Sequence, residues 1–134
     1  MTGVRETVLV IGVVAVGLMA GLFAAFAYAV MPGLGQADDR SFISSMQRIN
    51  VVIVNPVFLL LFFGGLGFTV AAAVLYRDHR MSWWIVAGAV LYGLGLVITM
   101  AFNIPLNNKL EAAGDPDRIG DLRAVRDVFE ASWV

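Results

Sequence analysis

The sequence predicts an all-α fold, an integral membrane helical bundle with three transmembrane helices, and three observations predict it. Hydrophobic residues fill 60% of the 134 positions, charged residues only 14%, and the mean hydropathy is +0.84. A soluble domain carries about 25% charged residues and needs that polar surface. Three stretches also run without a formal charge for longer than the roughly 20 helical residues that cross a bilayer. They are Thr7 to Met31, the interval between Arg48 and Arg77, and the interval between Arg80 and Lys109. Finally, helix breakers stand where such spans must end, at Pro32-Gly33-Leu34-Gly35 and at Gly114-Asp115-Pro116.

Taken in order, the first run is read as a retained anchor. Only Arg5 flanks it on the basic side, and it exceeds the roughly 7–15 apolar residues of a signal peptide. The segment from Pro32 to Ile49 carries Asp38 and Asp39 as candidate caps. Phe42, Met46, Ile49 and Ile53 then recur at helical spacing, as an amphipathic entry that continues into the second span. The turn Arg77-Asp78-His79-Arg80 is tight enough to make the second and third spans an antiparallel hairpin. The spans are expected at roughly 8–31, 50–76 and 82–106 within a single membrane domain. Beyond the third, Asp117 is expected to cap an amphipathic interfacial helix over roughly 117–133. Leu122, Val125, Phe129 and Trp133 form its apolar stripe. Arg123 with Asp127, and Arg126 with Glu130, sit one turn apart on its other side, at about 0.2–0.5 kcal/mol per pair.

Lipid gives little hydrophobic force between helices, so small residues that allow close approach mark packing faces. Gly17, Gly21, Ala25 and Ala29 form such a stripe on the first span, for an internal neighbour, a membrane-protein partner or a homo-oligomer. Trp83 and Trp84 follow the charged turn, where indoles anchor at headgroup level. His79 reads as a solvated turn residue. The positive charge of that turn places it and the N-terminus in the cytoplasm, with the bacterial plasma membrane as the expected location.

Several functions are excluded. A net charge of −1 offers no basic patch for nucleic acid. The absence of cysteine removes disulfides, thiolate nucleophiles and thiolate-bound metal. A single histidine argues against a histidine-rich metal or haem site, so neither a metal nor another cofactor is expected. No catalytic triad, phosphate loop, dinucleotide fingerprint or carboxylate pair is present.

What polar chemistry the spans do carry lies at their ends. Gln47, Arg48, Asn50 and Asn55 open the second span, with Pro56 beside them; Asn103, Pro105 and Asn107 close the third. A hairpin brings these ends to one membrane face. Each proline frees a carbonyl one turn earlier, at Val52 and Ala101, so the asparagines either repair kinks or hold a ligand. Arg48 either reaches the headgroups or holds an anion or phenolate.

Met31-Pro32-Gly33-Leu34, the segment Phe42 to Pro56 with Met46-Gln47-Arg48-Ile49-Asn50, and the string Phe102-Asn103-Ile104-Pro105-Leu106-Asn107-Asn108 resemble the anthrone-oxygenase-like family of small membrane proteins. Phe129 and Trp133 match the start of that family's tryptophan-rich motif. The resemblance implies a four-helix plan, of which this chain carries three spans, and most bacterial members have no assigned function. It also implies oxidation of an anthrone-like phenolic substrate by oxygen without metal or flavin. Arg48 would hold the phenolate, the asparagines would orient the substrate, and Tyr28 or a water would take the proton. Three functions therefore stand side by side: a cofactor-independent oxygenase, a non-catalytic accessory subunit of a membrane complex, and a binder of lipid or quinone-like ligands.

Overall fold

A computed structural model describes residues 2–133. Among the described residues there are helices and turns and no strand, as the composition demands. Three helices are long and apolar enough to span a membrane: Gly3–Leu34, Pro56–Leu75 and Ser82–Ala112. Their surfaces display side chains such as Leu60 and Leu91, each 70% exposed. That is ruinous in water and correct against lipid. The chain is an all-α membrane protein. Its contacts divide it into two compact units.

The first unit joins helix α1 (Thr2–Ala25), as far as Phe23, to Asn55–Val97. The latter holds helix α4 (Pro56–Leu75) and most of helix α5 (Ser82–Ile98). Met19, Phe62 and Leu96 form one buried cluster; Ala72, Tyr76 and Ile85 form another, with Val8 and Leu9 against it. These pairings make α4 antiparallel to both of its neighbours, as the short turn requires. Gly12 explains how closely α1 and α4 approach, since a methyl group there would lie 3.3 Å from the Thr69 backbone nitrogen. About two turns further on, toward the start of α1 and the end of α4, the Arg5 guanidinium stacks 5.2 Å from the centroid of the Tyr76 ring. The start of α1 and the charged turn therefore lie at the same end of this unit. Polar ties are few. Thr69 Oγ1 donates to Gly65 O at 2.6 Å and Tyr92 Oη to Phe62 O at 3.0 Å. Trp83 and Trp84 are both exposed beside the turn.

The second unit comprises 24–54 and 98–133. It contains helix α2 (Met31–Leu34), helix α3 (Asp39–Ile53), helix α6 (Ile104–Ala112) and helix α7 (Leu122–Ser132). Phe42, Ile43 and Met46 of α3, Leu110 of α6 and Phe129 of α7 form its buried core. Complete burial of one such side chain stabilises by about 1.5–3 kcal/mol relative to water. Two π-helical segments, Phe26–Val30 and Thr99–Asn103, precede Pro32 and Pro105 by the same interval. In each, the closing bond spans five residues, from Met31 N to Phe26 O and from Ile104 N to Thr99 O. A wider turn clears the proline ring from the carbonyl four residues back, which an α-turn would force it to meet.

Three boundaries differ from the expected ones. The amphipathic entry does not continue into the second span: α3 ends at Ile53, and Asn55 in extended conformation starts α4 afresh. The reason is Pro56, whose ring disfavours helical backbone at Asn55 and whose missing N–H is harmless at a helix start. The third apolar helix runs on to Ala112, beyond the expected 106, because the π turn absorbs Pro105. The tail helix begins at Leu122 with Asp121 as its cap, while Asp117 sits in the 3-10 turn Pro116–Arg118 capped by Asp115.

Candidate functional site

Helix α3 carries half of the polar residues singled out above, Gln47, Arg48 and Asn50, and Asp38 starts it. Its carboxylate accepts from Ser41 N at 2.9 Å and from Ser41 Oγ at 2.6 Å. Those bonds hold the Asp38 carboxyl below the usual carboxylate range. Gln47, one turn past the buried Ile43, reaches helix α6. Its Nε2 donates to Leu110 O and to Gly114 O, both at 2.9 Å. These are carbonyls at the end of α6, where no further turn can satisfy them. Gly114, with φ of +80°, closes that end in the left-handed conformation. Gln47 is thus occupied as the strut between the two helices.

That strut fixes the register. With Gln47 level with Leu110 and Gly114, the antiparallel run of α3 and α6 brings Asn50 level with Asn107. Both are half-buried. Asn50 Nδ2 and Asn107 Oδ1 are each shielded from solvent and without a hydrogen-bond partner among the described residues. Asn103, one turn earlier on the same face as Asn107, is 8% exposed and lies at the end of the π segment.

Helix α7 completes the unit. Arg126, expected on a free polar face, is instead its clamp, with a side chain only 13% exposed. Its guanidinium donates to Gly35 O at 2.6 Å, Ala37 O at 2.8 Å, Asp39 Oδ1 at 2.9 Å and Glu130 Oε2 at 3.0 Å. It also lies 4.8 Å from the centroid of the Phe42 ring. Glu130 and then Asp39 raise the Arg126 pKa further. Gly35 permits this, since a methyl group there would stand 3.0 Å from Glu130 Oε1. Phe129 meets Phe42 edge-on at 6.1 Å. With Arg126 at the level of Asp39 and Phe129 at that of Phe42, α7 runs parallel to α3. Trp133 then stands level with Met46, packed on the core and 5.9 Å from the Phe26 ring. Its Nε1 is a third shielded atom without a partner.

The other candidates are placed elsewhere. Arg48 is exposed, on the face of α3 turned away from Met46 and Asn50. Asn55 is the cap of α4 in the first unit, accepting from Val57 N and Phe58 N at 3.0 Å each. Tyr28 is 74% exposed. A methyl group added at Gly17 or Gly21 meets nothing within 4 Å, so neither glycine packs inside the chain. Ala25 and Ala29, at half-buried and exposed positions, add no core residue. Trp133 was not among the sequence candidates. An indole on an apolar stripe looks like core, and only the orphaned N–H separates it from one.

Residues 57–134 match a family whose model is described as anthrone oxygenase, a stretch that contains Asn103, Asn107 and Trp133. No curated protein and no solved structure matches the chain.

Proposed function

This chain belongs to the anthrone oxygenase family, and from that membership we propose that it oxygenates an apolar phenolic substrate without a cofactor, at the amide pair of α3 and α6. One observation carries the reading: Asn50 Nδ2 and Asn107 Oδ1, beside the apolar core, are shielded and unpaired among the described residues. An unsatisfied buried group costs about 1–3 kcal/mol, which a substrate offering the missing partners recovers on binding.

The chemistry balances without an external reductant. An activated methylene between aryl rings loses a proton to water, and the carbanion combines with dioxygen to give a hydroperoxide. Elimination of water leaves a ketone. Both oxygen atoms are accounted for, and the four electrons come from the substrate carbon. The chain contributes binding, orientation and, through Asn50 Nδ2, a preorganised donor for the developing oxygen charge. Arg48 has no contact in this scheme.

Purified chain in lipid nanodiscs, supplied with anthrone and air, tests the reading by oxygen uptake and anthraquinone formation. Turnover above that of empty nanodiscs is expected, reduced at least tenfold in Asn50→Leu and retained in Arg48→Ala. A rate equal to empty nanodiscs sinks it.

A second reading, assembly with another membrane segment, is favoured by the open faces of Gly17 and Gly21 beside a groove of about 430 Å³. Gly17→Ile should then shift the particle to smaller mass in mild detergent; an unchanged mass goes against assembly through this face.

A further inference from the structure

Among the described residues of the second unit, three shielded polar atoms have no partner: Asn50 Nδ2, Asn107 Oδ1 and Trp133 Nε1. They come from three different helical elements, yet Ile49, Leu106 and Trp133 all pack on the same buried core. The registers place them at neighbouring levels of this unit. Asn50 is level with Asn107 through the Gln47 strut. Trp133 is level with Met46, one turn from Asn50, through the Arg126 and Phe129 contacts. A helical turn rises about 5.4 Å, a distance an indole spans.

Their chemistry is specific. Two are N–H donors and one is a carbonyl acceptor. A neutral hydroxyl has two acceptor lone pairs and one donor, which is the complement of this set in a single atom. A quinone offers acceptors alone and leaves Asn107 Oδ1 unsatisfied. A phenolate gains the two donors but meets the Asn107 oxygen with a lone pair. A free carboxylate fails in the same way.

We propose that Asn50, Asn107 and Trp133 together bind one un-ionised hydroxyl of an apolar ligand, a phenol or alcohol, with Trp133 as the donor that selects it. This rests on the site of the oxygenase reading but not on its chemistry. Alongside, the α6–α7 groove of about 310 Å³, lined by Leu106, Leu110, Val125 and Phe129, offers room for an apolar body.

The probe is 1-naphthol, with 1-methoxynaphthalene as a match of the same apolar body without the donor. The chain is ¹⁵N-labelled in nanodiscs and carries Trp83→Phe and Trp84→Phe, so that Trp133 gives the sole indole N–H resonance. Naphthol is expected to shift that resonance saturably, and the methyl ether to leave it in place. Trp133→Phe keeps an aromatic ring against Phe26, and Asn107→Leu is nearly isosteric; each should weaken naphthol binding about tenfold, read by equilibrium dialysis with helicity checked by circular dichroism. Equal binding of the methyl ether, or full affinity in Trp133→Phe, overturns the proposal. So does an indole resonance unmoved by saturating naphthol, which means a water only. Anthrone turnover in the same samples separates the two readings. Hydroxyl-selective binding without turnover upholds this site and removes the oxygenase; turnover insensitive to Trp133→Phe does the reverse.

Discussion

The two units of this chain solve the same problem, holding helices together, by opposite means. In the first, backbones come close because Gly12 has no side chain, and apolar clusters fill what is left. Its inter-helix hydrogen bonding is slight, with Tyr92 donating into α4. In the second, α3, α6 and α7 are tied by Gln47, by the Arg126 clamp and by Arg40, whose Nη2 donates to Asp117 at 2.8 Å. The lesson concerns solvent. Packing alone suffices where every helix face is apolar and the alternative is lipid. Where polar faces and helix ends abound, backbone carbonyls must be satisfied one by one, and charged side chains reach in to do it.

The largest effect should come from removing the clamp. Arg126→Leu strands Asp39 and the carbonyls of Gly35 and Ala37, at a cost of roughly 3 kcal/mol. Hydrogen exchange should accelerate at residues 35–39 and along α7, while α4 and α5 keep their protection. Equal loss of protection in both units would erase the contrast drawn above. Next is Gly12→Val, which overfills the α1–α4 contact and should destabilise by about 1–3 kcal/mol in detergent unfolding. Gly17→Ala should stay within about 0.5 kcal/mol. Asn55→Ala removes the cap of α4 and should cost about 1 kcal/mol by the same assay, with Asp in its place restoring most of it.

The smallest effect is pH-dependent. The hydrogen bond from Arg40 holds the Asp117 carboxyl below its ordinary value. A depressed folded-state pKa contributes stability that is present above the unfolded pKa and lost as pH falls through the folded one. The tie should therefore be intact at neutral pH and release only below the ordinary carboxylate range, followed through the Arg40 Nε–H resonance. Both partners are exposed, so the global stability change should be slight.

The membrane fold was legible because it depends on sums: apolar length, missing charge and breakers. Site geometry depends on phase and on which polar group finds which partner. Asn55 and Pro56 looked like a kink and its repair, when the same pair serves equally as cap and first residue of a new helix. Arg126 and Glu130 looked like a surface pair at helical spacing; they do pair, but the spacing could not reveal that the guanidinium turns inward onto Gly35 O, Ala37 O and Asp39. Asn50 and Asn107 were visible as polar residues in apolar company. Trp133 was hidden, because its ring obeys the apolar stripe and only its nitrogen does not.

The two π segments carry one more consequence, for anyone comparing this chain with its relatives. Each wide turn is an extra residue threaded into an α-helix, and it rotates everything after it by about 100°. A relative lacking Pro105 has no need of the extra residue; losing the wide turn together with one residue would leave Asn107 facing the same way, whereas losing the wide turn at constant length would bring a different side chain to its place. Gaps of a single residue at 26–30 or 99–103 should thus be read as the gain or loss of a wide turn that leaves the helix beyond it facing as before, not as noise in a loop.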